Sequence, residues 1–171
     1  MNNEIRIETD RLLLRPLMIS DAEDVFEWTG DAVVNRYMPY PLYTDSDDVR
    51  KWIASLKAEK FEFAFVLKSE NKVIGSGSVH AVDDDGVYEL GYNFNRKYWN
   101  NGYATEAAKA MIKWAHDELG VHNFKACHAN ANTASGNVLK KCGFEFTEFG
   151  QYSRYDGSET FDASFYRLHI E

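Results

Sequence analysis

Two cysteines, Cys127 and Cys142, are all the thiols in a chain of 171 residues. They lack the close spacing of a metal clip, and two are too few for a disulfide framework. They read as reduced thiols packed inside a domain. Apolar runs are short: none approaches the roughly 20 residues that span a bilayer. The opening Met1–Asp10 is acidic and polar and has no apolar signal core. The expected location is the cytoplasm, with no membrane partner. Cationic excess is missing as well. Lys and Arg number 19 against 27 Asp and Glu, a formal net charge of −8. General affinity for nucleic acid needs clustered cations to neutralise phosphates, so none is expected, whereas a basic acceptor would be attracted. The five histidines show no ligand spacing with carboxylates or thiols, so no metal is expected. There is no repeat, low-complexity tract or Gly/Ser/Pro-rich linker, and one domain over residues 1–171 is expected.

What is present is enough apolar material, 44% of residues, for a sizeable core. Arg11–Arg15 reads as a first strand, ended by Pro16. Ser20 stands three residues before Glu23, a capping-box spacing, and a short helix should run through Trp28. Val49, Trp52, Ile53 and Leu56 share one helical face and predict a second helix over about residues 45–60. Three strands should follow at Phe61–Lys68, Lys72–Ala81 and Val87–Phe94. Ser69-Glu70-Asn71 turns between the first two. Asp83-Asp84-Asp85-Gly86 reads as a hairpin turn rather than a cation site. The pattern then switches to a helix over Ala104–Leu119 stopped by Gly120. A strand at Phe124–Ala129, a helix at Ser135–Cys142 closed by Gly143, and strands at Phe144–Phe149 and Thr160–Leu168 complete the chain. The fold class is α+β, with helices packed on a mixed, mostly antiparallel central sheet.

The stretch Glu89–Thr105, ELGYNFNRKYWNNGYAT, concentrates the chemistry. A strand runs out at Phe94, and a loop through Trp99-Asn100-Asn101-Gly102-Tyr103 leads into a helix. The first amides of a helix have no internal partner and carry the positive end of its dipole. A glycine there lets an anion approach the backbone closely. Such a turn can hold a pyrophosphate with few basic side chains, although many strand-to-helix turns contain one glycine and bind nothing. The helix that follows carries Ala104, Ala107, Ala108, Met111 and Ala115 on one face, small enough for close packing on a sheet. Asn132-Thr133-Ala134-Ser135, taken alone, is ordinary helix capping.

In order along the chain, YELGYNF, YWNNGYATEAAKAMIKWA and HANANTASGNVLKKCGFEF resemble the core of the GNAT superfamily of N-acetyltransferases. Together with TDRLLLRPLMISDAEDVFEW and YSRYDGSETFDASFYRL, they resemble more narrowly its branch of ribosomal-protein N-terminal (RimJ/RimL-type) acetyltransferases. The resemblance covers nearly the whole chain. It implies a GNAT-like fold, acetyl-CoA as acetyl donor, and a primary amine acceptor, first of all a protein or peptide N-terminal α-amine. Direct attack within a ternary complex is the implied route. The family's phosphate-binding pattern is Arg or Gln, two residues, Gly, one residue, then Gly or Ala. Gly102 and Ala104 match its last two fixed positions; Trp99 replaces the Arg or Gln, and Asn100 stands where the branch often has Gly. The resemblance implies that the amides of Asn101, Gly102, Tyr103, Ala104 and Thr105 cradle the pyrophosphate. The backbone at Tyr92, Asn93 and Phe94 would pair with the pantetheine arm, with Gly91 letting the strand bend away from its neighbour. Asn132 would bind the pantetheine, and Ser135 would lie near the sulfur and hydrogen-bond or protonate the departing thiolate. A thiolate whose conjugate acid has a pKa of about 8.5 leaves with little help.

Strand alternation puts Val87, Glu89, Gly91 and Asn93 on one face and Tyr88, Leu90, Tyr92 and Phe94 on the other. Glu89 is thus a charged residue in an otherwise apolar strand. It either pairs with a Lys or Arg of a neighbouring strand or serves as the catalytic base, a role the family often places on this strand. His80 could relay a proton or contact the acceptor. A strand amide near Asn93 would face the oxyanion. Neither cysteine suits a covalent intermediate. The connector Arg36–Tyr43, with Tyr37, Tyr40, Tyr43 and two prolines, reads as an aromatic wall, and Tyr37 and Tyr40 are candidate acceptor contacts. Three alternatives stay open: a small-molecule amine acetyltransferase (antibiotic, polyamine or amino-acid conjugate), a non-catalytic acyl-CoA sensor, and an interaction protein that has lost cofactor binding. A monomer and a homodimer fit equally.

Overall fold

Apolar residues recur at every second position in the segments expected to be strands, and the described residues form eight strands in one sheet. The computed structural model describes residues 5–57, 60–82 and 85–171. β1 (Ile7–Glu8) and β2 (Leu12–Pro16) open it. A 3-10 turn at Ile19–Asp21 leads into α1 (Ala22–Thr29), and a connector leads to α2 (Ser46–Ser55). β3 (Phe61–Leu67), β4 (Lys72–Ala81) and β5 (Val87–Phe94) form the meander. α3 (Tyr103–Leu119), β6 (Asn123–Ala129), α4 (Thr133–Lys141), β7 (Glu145–Ser153) and β8 (Thr160–His169) follow. The sheet order is β1-β2-β3-β4-β5-β6-β8-β7. Only the β5–β6 pair is parallel.

Helices cover both faces. Phe63, Phe65, Val79, Leu90 and Phe94 pack with Ala107, Ala108, Met111 and Ala115 of α3. On the other face Ala64, Val66 and Val73 pack with Val25 and Trp28 of α1 and with Val49 and Ile53 of α2. Each large side chain so buried contributes about 1.5–3 kcal/mol. The small residues on α3 let it lie close, and Gly77 on β4 completes the fit: a Cβ there would stand 2.6 Å from both the Gly91 carbonyl and the Phe65 ring.

Several boundaries differ from the sequence reading. Asp21, not Ser20, stands at the N-cap of α1, and its side chain makes no cap bond to that helix. The Asp21 carboxylate accepts from the Met18 amide at 2.8 Å and from Arg15 at 2.7 and 2.8 Å. Asp21 thus closes the 3-10 turn ahead of the helix and is paired there with Arg15. α2 ends at Ser55 because Leu56 is extended (ψ 129°). Residues 58–59 of the expected longer helix, and Asp83 and Asp84 of the expected hairpin turn, lie outside the described residues. β1 had no clear signal in two residues. α4 starts at Thr133 rather than Ser135, with Asn132 as its N-cap. β7 begins at Glu145, not Phe144, and β7 and β8 run on to Ser153 and His169.

Candidate active site

The parallel pair is joined by three residue pairs only: Val87↔Asn123, Tyr88↔Phe124 and Glu89↔Lys125. Past Glu89, β5 stays with β4 as far as Phe94, while β6 stays with β8 to Ala129. The two strands therefore part, and Glu89 sits at the vertex of the opening. The Asn95 amide donates to Ile74 on β4 at 2.9 Å, so alternation turns the peptide groups of Leu90, Tyr92 and Phe94 toward the gap. Those of Phe94 are already engaged: its amide donates to Asn93 Oδ1 at 3.0 Å, and its carbonyl accepts from the Trp99 indole at 2.9 Å. The Glu89↔Lys125 pairing uses the Leu90 amide, so the Leu90 carbonyl and the Tyr92 peptide groups keep a free edge. Such an edge is a template for an extended chain carrying amides of its own, the character of a pantetheine arm.

At one end of this edge the loop into α3 is built for close approach. Asn100 (φ 62°) and Gly102 (φ 80°) are both left-handed, which turns the chain sharply before the first helical amides. Trp99, in the position of the family's Arg or Gln, ties the loop to the strand end through its indole. Asn101 Nδ2 donates to the carbonyls of Tyr98 and Trp99 at 3.1 and 2.9 Å. Arg11 donates to the Asn101 carbonyl at 2.8 Å and stacks on the Tyr103 ring at 4.4 Å. Glu106, in the first turn of α3, would repel an anion at this helix end. It is turned away instead, accepting from Thr9 Oγ1 at 2.6 Å, the Arg11 amide at 2.9 Å and Arg11 Nε at 2.7 Å. Burial alone would raise the Glu106 carboxyl, but the Thr9 and Arg11 hydrogen bonds bring it below its ordinary value. Its charge is thereby matched, and the free amides at the helix start dominate the local field.

Across the gap stands the start of α4. Asn132 Oδ1 accepts from the Ser135 amide at 3.4 Å. The Tyr92 hydroxyl reaches over from β5, 3.2 Å from Ser135 Oγ and 3.3 Å from the Ser135 carbonyl. Tyr92 was expected to act through its backbone alone; its side chain also fastens the two lips of the opening. Gly136 lets α4 lie directly on β6, since a Cβ there would be 2.6 Å from the His128 ring.

The opposite face of the sheet carries the remaining predicted residues. Asn93 Nδ2 donates to the Tyr40 hydroxyl at 2.8 Å and to Asn35 Oδ1 at 3.4 Å. Its own amide points to β4; the gap-side amide beside it that the β5–β6 pairing leaves unused is that of Tyr92. His80 is paired in register with Glu89, half-buried, with its Nδ1 buried and unpartnered. Burial, with Lys60 nearby, holds the imidazole below its ordinary pKa. Lys125 stands beside Glu89 in register but makes no ion pair with it among the described residues. Tyr37 packs edge-on against Phe161, centroids 5.9 Å apart. The connector is clamped from the far end of the sheet: Tyr152 donates to the Tyr37 carbonyl at 2.6 Å, Arg154 to Met38 and Arg36 carbonyls at 3.0 and 2.9 Å, and the Tyr155 amide to Pro39 at 2.8 Å. It roofs the face over Asn93.

Sequence reading passed over Glu62. It lies on β3 in the row Glu62↔Ser78↔Gly91, on this same face. Burial pushes its carboxyl up to about 7, against the lowering effect of Lys60. The available signal was a charge at the position where the alternation of Ala64 and Val66 demands an apolar residue.

Burial also pushes both thiols up to about 11, so neither is a thiolate at neutral pH. Among the described residues no three His, Cys, Asp or Glu side chains are placed to hold a metal, and no helix is long and apolar enough to cross a membrane.

Residues 11–145 match the model of the Acetyltransferase (GNAT) domain. The chain is 31% identical to an uncharacterized N-acetyltransferase, YnaD, of Bacillus subtilis (strain 168), over 96% of each chain. The crystal structure of an acetyltransferase (GNAT family) from Bacillus anthracis superposes with a TM-score of 0.87 at 31% identity, covering 96% of this chain and 98% of that one. RimL, a ribosomal L7/L12 alpha-N-protein acetyltransferase solved in complex with coenzyme A, shares the fold at a TM-score of 0.82 and 17% identity, covering 97% and 98%.

Proposed function

The chain belongs to the GNAT family of acetyl-CoA-dependent N-acetyltransferases, and on that premise we propose that it acetylates a primary amine, foremost a protein or peptide N-terminal α-amine, by direct attack within a ternary complex. The observation that carries this reading is the opening of the β5–β6 pair past Glu89, with free peptide groups on one lip and two helix starts facing it. The fold likeness to RimL supports an α-amine acceptor. The roof over Asn93 favours a compact small-molecule amine as the second reading.

The residues divide the work by position. Amides of residues 101–105 receive the pyrophosphate at the start of α3. Leu90 and Tyr92 pair with the pantetheine arm, helped by Asn132 at the rim of α4. Acetyl-CoA supplies a thioester whose carbonyl carbon the amine attacks and whose C–S bond then breaks. The Tyr92 amide faces the negative charge that develops on the carbonyl oxygen. Glu89 takes the amine's proton through one water. Ser135, held by Tyr92 at the positive end of α4, hydrogen-bonds the departing thiolate. The acceptor arrives over the face of Glu62, His80, Glu89 and Asn93, with Tyr37 and Tyr40 as its wall.

The test is calorimetric titration with acetyl-CoA and with free CoA, followed by a thiol-release screen of N-terminal peptides and small amines. Micromolar acetyl-CoA binding and release with at least one amine are expected. Binding without release on a broad panel would leave a sensor. No binding of either thioester or thiol would mean that the loop at residues 99–104 holds no pyrophosphate.

A further inference from the structure

The chain treats its sequestered carboxylates in two ways. Asp21 is held by Arg15, Asp24 by Lys72, Asp31 by Arg96 and Glu106 by Arg11. Glu62 and Glu89 are partly buried as well, yet neither makes a hydrogen bond or ion pair through its carboxylate among the described residues. Removing a carboxylate from water without a partner is costly. Both exceptions stand on the face the acceptor approaches, and the sheet register fixes their relation. Glu62 shares a row with Ser78 and Gly91, while Glu89 stands one row further out beside His80. Two strand spacings across and one repeat along separate their Cα atoms by about 12 Å. The floor between them is open: a Cβ on Gly91 would meet only Ser78 Oγ, at 3.7 Å.

Glu89, on the reading above, is occupied with the reacting amine. An acceptor with one nitrogen would leave Glu62 unpartnered even in the ternary complex. We propose that Glu62 recognises a second cationic centre on the acceptor, so that the enzyme selects amines carrying another basic nitrogen several bonds from the one acetylated. A short diamine and a peptide whose N-terminal residue is followed by Lys or Arg share this chemistry. The inference rests on the acetyltransferase reading, and its test separates the two.

Four acceptors in two matched pairs are compared: 1,5-diaminopentane with pentylamine, and Ser-Lys-Ala with Ser-Gln-Ala. With wild-type protein the dibasic member of at least one pair should have the lower KM, by about tenfold, the worth of one partly screened charge contact. The favoured pair identifies the source, small molecule or peptide. Glu62→Gln should reduce that preference to within about twofold by raising KM for the dibasic member alone, and Glu62→Asp should restore part of it. An equal loss on both members, or no preference in the wild type, overturns the inference. A readout free of turnover runs beside it: at pH 8, 1,5-diaminopentane should raise the melting temperature of the wild type and not of Glu62→Gln, with pentylamine as control. If no amine is acetylated, the acetyltransferase reading fails, while this thermal shift still decides for or against cation binding at Glu62.

Discussion

Replacing Glu62 by Gln should make the protein more stable, and the gain should grow with pH. The carboxyl sits at about 7 in the folded chain against 4.5 for the ordinary group, because burial outweighs the attraction of Lys60. A folded pKa above the unfolded one means that the folded state holds the proton longer. The associated stability is complete below about pH 4.5 and is lost as pH rises through about 7. At 1.36 kcal/mol per unit, the ionised form costs the fold about 3 kcal/mol as a ceiling, and roughly half that once its partial contact with solvent is allowed for. Glutamine keeps the shape and does not titrate. The charged and titratable groups facing this position are Lys60 beside it, the Tyr40 phenol on the connector, which burial raises above its ordinary value, and His80 with Glu89 in the next row. All four are common to both proteins, so their own titration cancels to first order in the difference. Urea unfolding of wild type and Glu62→Gln at constant ionic strength, in steps from pH 4 to pH 8, gives that difference directly. It should climb by about 1–2 kcal/mol, mostly between pH 4.5 and 7. A flat difference would mean that Glu62 is solvated or partnered in solution, and a falling one would reverse the argument.

Glu89→Gln should lower turnover by about a hundredfold at neutral pH and by less at pH 9, where more of the acceptor is already neutral; an unchanged pH–rate profile would remove Glu89 from the mechanism. Gly102→Ala forces a side chain into φ 80°, a cost of about 1–2 kcal/mol, and should weaken acetyl-CoA binding about fivefold or more by calorimetry. Arg11→Ala leaves the Glu106 charge unmatched at the start of α3 and should raise the acetyl-CoA Kd severalfold. Adding Glu106→Gln should recover most of that loss, and a double-mutant cycle with no coupling would refute the charge-matching account. Gly77→Ala meets backbone at 2.6 Å and should cost about 1–3 kcal/mol in urea unfolding.

The strands of the meander were legible to within a residue, because polar turn residues bracket runs of clear alternation. α3 was legible from its small-residue face and its glycine stop. The family resemblance rested on segments kept in order, and the fold bears it out. What the sequence hid depends on register and on long-range contact. Glu62 gains its meaning from Ser78 and Gly91, which lie across two ladders, and a shift of one residue would have put it on the other face. Tyr92 meets Ser135 from 43 residues away, and Arg11 meets Glu106 from 95. No local pattern announces either. The Ser20–Glu23 box failed likewise: Asp21 stands at the N-cap and pairs with Arg15, an ion partner six residues upstream that a capping motif does not register.

β8 lies between β6 and β7 in the sheet, although it follows both in the chain. Until it is in place, the three-residue pairing with β5 is the strand pairing that β6 has, and β7, which carries Tyr152, lacks the strand it pairs with. Synthesis proceeds from the N-terminus at about 5–20 residues per second, so the loop at residues 99–104 and both helices that face the gap are translated seconds before β8. The segments that face the gap are thus encoded ahead of the strand that closes the sheet around them.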